Sequence, residues 1–253
     1  MFIMKIFTRV NRKLIKWRLT PIRVFGLHHV SDTYNVATMW EEDWTQTEAL
    51  KQFVVGLQNQ GYIFISFSEA NEKLKRDWLR NKRYAVLTAD DGFKTLLNIL
   101  PWLQEQRIPI TLFVNPKYIL NDGIGDNVQI LLKQTHGTVA NQELYLNIED
   151  IRALKSSYIS FACHGYEHLD ERELDVDEFK KNVEQCMKAL STDFPNVIPF
   201  YAHTYGQTKE GYDDILRSYG LTPVYISGNP NYNNEGYIDR ELLSNGRIIN
   251  GKV

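Results

Sequence analysis

Residues 84–92 read YAVLTADDG, and the reading of the fold starts from them. Tyr84 to Ala89 form an apolar and β-branched run, the composition of a strand, and the run breaks directly into Asp90-Asp91-Gly92, a turn sequence. On either side the same unit repeats. Upstream, VFGLHHV (24–30) reads as a strand, and Thr45-x-x-Glu48 offers a capping box for a helix whose apolar positions are Leu50, Phe53, Val54 and Leu57, stopped by Gly61. YIFIS (62–66) is the next strand, followed by Ser66-x-x-Glu69 and a helix to about Arg80. Downstream, a helix from Phe93 to about Gln106, with Pro101 kinking it or marking its first turn, leads to the strand ITLFV (110–114).

The alternation resumes after residues 116–146, which lack clear periodicity, contain Gly123, Gly125 and Gly137, and read as a long surface loop. Then come a helix over 147–156 capped by Asn147, the strand YISFACH (158–164), a helix over 176–190, the strand VIPFYAH (197–203), a helix over 209–219 closed by Gly220, and PVYIS (223–227). RIING (247–251) reads as a last strand. Strands alternating with helices imply parallel βαβ units, and about seven of them predict a single α/β domain built as a distorted (β/α) barrel over residues 24–253. In such a barrel, reactive groups belong at the C-terminal ends of the strands.

Composition narrows the classes. With 43% hydrophobic and 24% charged residues the chain can pack a core. A net charge of −2 gives no reason to expect nucleic acid, and no apolar run approaches the roughly 20 residues of a membrane span. The two cysteines, Cys163 and Cys186, do not make the framework of a small secreted scaffold, which points to a reducing compartment and a cytoplasmic location. Before the first acidic residue, Asp32, lie Lys5, Arg9, Arg12, Lys13, Lys16, Arg18 and Arg23, with Phe2, Ile3, Ile6, Phe7, Val10, Leu14 and Trp17 at helical spacing among them. Residues 1–23 therefore read as a basic amphipathic extension, either lying on the anionic inner membrane surface through residues 1–20 or packed on the domain.

Two features carry chemistry. Asp90 and Asp91 put adjacent carboxylates at the end of one strand, costly unless a cation or shared proton relieves them; Asp-Asp-Gly is also an ordinary turn. His164-Gly-Tyr-Glu-His168 puts two imidazoles four residues apart at the end of another strand, a spacing that can aim both at one ion or be merely structural. Together they offer a site of two imidazoles and one carboxylate with open positions for water.

TADDG (88–92) and HGYEH (164–168) resemble the first two motifs of polysaccharide deacetylases in carbohydrate esterase family four. LPWLQEQRIPITLFV (100–114), FGLHHVSD (25–32), LQNQGYIFIS (57–66) and YAHTYGQTKEGYDDILRSYGL (201–221) look like flanking segments of that family. The resemblance implies Asp90 as general base, Asp91, His164 and His168 as ligands of one divalent metal ion, and an N-acetylated oligo- or polysaccharide as substrate. Zinc is the first expectation, with cobalt, nickel and manganese also suited to such a donor set. It further implies His203 and Tyr205 at the substrate, and backbone N–H groups over 203–205 as oxyanion donors.

Two departures stand out. The arginine that orients the base in the family's third motif is absent from Ala202-His203-Thr204-Tyr205-Gly206, leaving Arg247 as a candidate cation beside the alternative of a solvated surface arginine. No histidine follows His203 to serve as the late general acid. Of His28, His29, His136 and His203, we select His28, because strand alternation lets one of the first two point inward and it falls where upstream-extended members place a histidine after an aromatic residue. A carbohydrate-binding pseudo-enzyme of the same fold is the rival reading, and a different metal-dependent amidohydrolase a more remote one.

Overall fold

The computed structural model describes residues 20–76, 82–121, 123–154, 156–232 and 235–249. The basic amphipathic pattern of residues 1–19 lies outside them.

Strand β1 (Ile22–Leu27) is followed by the short parallel pair β2 (His29–Val30) and β3 (Trp44–Thr45), and by β4 (Tyr62–Phe64). The later strands are β5 (Arg83–Ala89), β6 (Ile110–Val114), β7 (Ile159–Cys163), β8 (Val197–Ala202), β9 (Thr222–Val224) and β10 (Glu241–Leu242). Seven of them lie in the order β10-β1-β5-β6-β7-β8-β9, all parallel, curled into a half-barrel, with β4 paired along the start of β5. This is the predicted (β/α) barrel.

Alternation along the strands divides two cores. Val24, Val86, Phe113, Ala162, Phe200 and Val224 share one cluster, into which Phe67 of α2 (Phe67–Arg76) inserts with its ring 5.6 Å from Phe113 and 4.7 Å from Phe200. Phe25, Leu27, Leu87, Leu112, Val114 and Phe161 face the other way, onto α1 (Thr47–Asn59), α3 (Leu100–Glu105) and α8 (Val176–Asp193). Each such valine, leucine or phenylalanine, fully buried, contributes about 1.5–3 kcal/mol through its apolar area. β9 and β10 do not pair. Between them the segment after β9 doubles back, with Tyr225 N–H donating to Ile238, Gly228 N–H to Arg240, and Leu243 N–H to Gly26 of β1.

Several local expectations change. Thr45 caps nothing: it lies in β3, its hydroxyl donates to the Leu243 carbonyl, and Gln46 stands at the N-cap of α1 without a side-chain bond. Ser66 does cap, accepting from Glu69 N–H. Pro101 sits in the first turn of α3, behind a 3-10 turn over Lys94–Asn98. The stretch 116–146 is not a structureless loop but holds α4 (Pro116–Leu120), α5 (Asp126–Thr135) and α6 (Asn141–Leu144), short helices that bury Tyr118, Val128 and Leu144 against Phe93 and Tyr145. Asn147 forms a reciprocal capping box with Asp150 on α7 (Ile148–Ala153). After α9 (Tyr212–Ser218), Arg247 to Ile249 of the expected strand RIING lie instead in α10 (Asn245–Ile249), because the Ser244 carbonyl accepts the N–H groups of Arg247 and Ile248 and the helix packs on α1. Cys163 of β7 and Cys186 of α8 are joined as a disulfide with Cα atoms 6.2 Å apart, where the sequence reading takes them as separate thiols. Helix α8 lies directly on β7, a proximity that residue spacing does not reveal.

Candidate active site

β5 ends in a turn built for close approach. Asp90 N–H donates to the Leu27 carbonyl, and Asp91 and Gly92 both take left-handed backbone angles, φ 67° and 72°. Gly92 is required twice over: its φ disfavours any Cβ, and a Cβ there would stand 3.0 Å from Ile119 Cδ1 and 3.2 Å from Val114 Cγ1. The turn separates the two carboxylates, sending Asp91 toward β7 and Asp90 toward the interior of the half-barrel.

The loop after β7 brings both histidines to Asp91. His164 Nε2 lies 3.3 Å and His168 Nε2 3.5 Å from the same oxygen, Asp91 Oδ1, and all three side chains are buried. His164 Nδ1 is 2.8 Å from the Ala202 carbonyl, which can only accept, so the proton sits on Nδ1 and the Nε2 lone pair faces Asp91. The loop itself is anchored by Asn182, whose Oδ1 accepts from Tyr166 and Glu167 N–H, and by Asn115, whose amide donates to the His164 and Gly165 carbonyls. Asn127 of α5 donates to the second oxygen, Asp91 Oδ2, at 3.1 Å. Burial would raise the Asp91 carboxyl, but the imidazoles of His168 and His164 beside it hold it far below the usual carboxylate range. Asp91 Oδ1, buried, has two imidazole nitrogens converging on it and no hydrogen bond of normal geometry. Such an arrangement fits a divalent cation between the three groups, and a tetrahedral or five-coordinate ion would keep positions open on the solvent side.

Asp90 is met by a residue the sequence reading did not find. Arg240, itself 1% exposed, donates from Nη1 to Asp90 Oδ1 at 2.6 Å and from Nη2 to Oδ2 at 2.8 Å, with Nη1 also bonded to Thr88 and Nε to the Tyr225 carbonyl. Its guanidinium lies over the Phe113 ring at 5.0 Å. The segment is held by Asp239, whose carboxylate accepts Ser227 and Arg240 N–H, and by Asn231, bonded to the Asp239 backbone in both directions. Arg247, the cation considered from sequence, is exposed on α10 and plays no such part. Burial would raise the Asp90 carboxyl; the Arg240 charge outweighs it and holds the group below its ordinary value.

These groups line a cavity of about 370 Å³ whose walls include His28, Trp40, Glu42, Asp43, Asn127, Ile130 and Tyr205. His28 lies between two carboxylates, Nε2 3.9 Å from Asp90 and Nδ1 3.5 Å from Asp43. His29 points away, stacked on Phe93 at 3.7 Å, and burial pushes its imidazole down to about 3. Tyr205 is 40% exposed at the mouth, on a left-handed residue (φ 55°), with its ring 4.7 Å from His168; burial raises its hydroxyl to about 12. His203, expected at the substrate, is enclosed, with Nδ1 2.7 Å from Glu171 and Nε2 3.0 Å from Asp213, so neither nitrogen is offered to the cavity. His136 is exposed at the end of α5. The residues missed from sequence are thus Arg240, Asn127, Asp43 and Glu171. All four come from loops or helix ends, and their positions follow no spacing rule that ties them to the motifs.

Comparison with known proteins agrees with this geometry. Among curated protein sequences no significant match is found. Among solved structures, IcaB from Ammonifex degensii aligns with a TM-score of 0.71 at 16% identity, covering 91% of this chain and 94% of that one. The Streptococcus pyogenes deacetylase PplD in complex with acetate aligns with a TM-score of 0.70 at 18% identity, covering 90% and 94%. A de-N-acetylase from Aggregatibacter actinomycetemcomitans gives 0.69 at 16%, covering 92% and 99%. At these identities the likeness is one of fold. The sequence model described as polysaccharide deacetylase matches residues 79–224, a stretch that contains Asp90, Asp91, His164 and His168, and by that match over more than half its length the chain belongs to the polysaccharide deacetylase family.

Proposed function

We propose that the chain is a metal-dependent hydrolase that removes the N-acetyl group from an amino sugar, such as N-acetylglucosamine, in a polysaccharide or glycan precursor. One observation carries the reading: two imidazole Nε2 atoms converge on Asp91 Oδ1 at the floor of a cavity that also holds Asp90. Asp91, His164 and His168 would hold the ion, zinc being best suited and cobalt, nickel or manganese alternatives. The chemistry supplied at such a centre is Lewis acidity, which favours hydroxide over water and polarises a carbonyl.

The chain's own residues supply the proton transfers. Asp90 takes the proton of the attacking water; each carboxylate oxygen keeps a lone pair beyond the one bonded to Arg240. The water oxygen bonds to the acetyl carbon, the C–N bond breaks, and His28 Nε2, facing Asp90 across the cavity, gives the departing nitrogen its proton. Acetate and a free amine result. Of the turn's N–H groups, those of His203, Thr204 and Gly206 bond to Val224, Glu171 and His203, so we assign the oxyanion to Tyr205 N–H. Tyr205 and Trp40 form the cavity walls suited to a sugar ring.

The rival pseudo-enzyme reading rests on the altered third motif and the missing late histidine. Arg240 on Asp90 and His28 in the cavity favour the enzyme over it. The decisive experiment is metal analysis coupled to acetate release from a panel of N-acetylated oligosaccharides. Bound metal without acetate from any member would favour the pseudo-enzyme, and no bound metal would sink both.

The peripheral contact of residues 1–20 with anionic membranes is proposed on their basic amphipathic pattern. Deleting them should abolish binding to anionic vesicles that weakens with salt. Among the described residues no helix is long and apolar enough to cross a membrane. For location we keep the cytoplasmic side, with a direct test. Disulfides persist in oxidising compartments, so if Cys163 and Cys186 resist alkylation after acid quenching of cells and denaturation of the chain, the location moves outside.

A further inference from the structure

Behind the cavity wall lies a second charged array that takes no part in the proposed proton transfers. Glu171 and the His203 side chain are both completely buried. His203 Nδ1 is 2.7 Å from Glu171 Oε2 and its Nε2 is 3.0 Å from Asp213 Oδ1, so the ring stands between two acceptors and must carry a proton on each nitrogen. Glu171 Oε1 accepts Thr204 N–H at 3.3 Å, and the Thr204 hydroxyl donates back to the Leu169 carbonyl at 2.5 Å. Asp213 is tied in turn to the Tyr225 hydroxyl at 2.9 Å and to Arg217 Nη2 at 3.1 Å.

The three bonds made by Glu171 and Thr204 join the same two pieces of chain. Glu171 and Leu169 belong to the loop that presents His168, and Thr204 belongs to the turn that presents Tyr205 in its left-handed conformation. The rings of His168 and Tyr205 then meet edge to face at 4.7 Å. A buried imidazole with one carboxylate would be a simple ion pair; with two, one from the loop after β7 and one from the first turn of α9, it is a strut.

We infer that Glu171, His203 and Asp213 form a clamp that sets the position of His168 against the Tyr205 turn, making His203 a positioning residue for the metal site rather than a substrate ligand or proton donor. The inference rests on the metal reading of Asp91, His164 and His168. Losing the bridge frees the loop at Glu171 and lets His168 sample orientations that do not converge on Asp91. The clamp's support agrees: burial pushes the His203 imidazole down, but the hydrogen bonds to Asp213 and Glu171 overcome it and raise the group to about 9.

The test compares full-length wild type with His203→Gln, whose amide keeps the hydrogen-bonding shape without the charge. Two readouts are taken: zinc affinity by competition with a chromophoric chelator, and amide hydrogen exchange of the metal-free proteins. Expected is a loss of affinity of about 10-fold to 100-fold, the range for removing a group that orients a ligand. Exchange should accelerate at least 10-fold over residues 166–171 and 204–206 and stay unchanged in α8. Wild-type exchange in both segments overturns the clamp, whether or not the wild type holds metal. Wild-type zinc affinity in a folded variant overturns it as well. A wild type that binds no zinc, with the exchange effect present, would instead sink the metal reading. Should His203→Gln fail to fold, Asp213→Ala, at a partly exposed position, carries the same two readouts with the same expectations.

Discussion

Arg240 and Asp90, 150 residues apart in the chain, face each other through two parallel N–H···O bonds of 2.6 and 2.8 Å in a fully buried pocket. The fork fixes the plane of the carboxylate and keeps it ionised. Replacing Arg240 with Met leaves an unpaired buried charge and should destabilise the protein by about 3–5 kcal/mol, while Arg240→Met with Asp90→Asn should recover most of that loss. In the single variant the Asp90 pKa rises, so the acid limb of kcat/KM moves to higher pH. Denaturant titration of wild type and the two variants and a pH profile of the single variant check both statements.

Asp91 and Asp90 should separate cleanly by experiment. Asp91→Ala and His164→Ala are expected to abolish stoichiometric metal binding, whereas Asp90→Asn keeps the metal and loses about 10²-fold to 10⁴-fold in kcat. Metal lost equally from all three would make Asp90 a ligand beside Asp91, and metal kept by Asp91→Ala but lost from Asp90→Asn would mean that the roles of the carboxylates are exchanged.

Asn127 grips Asp91 through the oxygen that does not meet the histidines. Asn127→Ala should weaken metal binding by about 10-fold to 100-fold with little change in unfolding midpoint. Isothermal titration with zinc or cobalt is the measurement, and an unchanged affinity would leave Asn127 as a wall of the cavity only.

His28 as general acid predicts a dependence on the leaving group. An amine needs a proton to depart and an activated phenolate does not, so His28→Ala should lower kcat about 10²-fold or more on an N-acetyl sugar but far less on an aryl acetate. Equal losses on both substrates would remove His28 from the proton transfer.

The buried His203 also predicts a pH window for stability. Its pKa is raised to about 9 in the fold from an ordinary 6.5, so its contribution is complete below about pH 6.5 and is lost as pH rises through 9. The groups facing it are Glu171, Asp213, Tyr225 and Tyr201, with Arg217 behind Asp213. Unfolding free energy should therefore fall by up to about 3 kcal/mol between pH 7 and 10 in wild type, and by much less in His203→Gln.

The strands β5 and β6 were legible because each is an apolar run closed by sharp turn residues, and the cluster of Asp91, His164 and His168 because its spacing and strand-end positions are local properties. Arg240 was not legible. It lies in a segment without periodicity, placed by side-chain bonds from Asp239 and Asn231 to the backbone, and no spacing rule links it to Asp90. The short helices of 116–146 escaped because their buried faces, such as Val128 and Leu131, are too brief to show a period among the glycines. His203 was seen but misjudged: its partners lie 32 residues before it and 10 after it, and only the fold brings them to its two nitrogens.

The half-barrel is left open between β9 and β10, and the doubled-back segment that fills the gap is the one that carries Arg240. During synthesis, a nascent chain that has emerged only as far as β9 already holds Asp90, Asp91, His164 and His168, yet its Asp90 faces no guanidinium. Such an unfinished product carries all three residues proposed to hold the metal, with the proposed base unoriented. Under the proposed reaction, competence for hydrolysis then waits for the segment that carries Arg240, and a chain cut after Tyr225 is expected to hold metal without turnover.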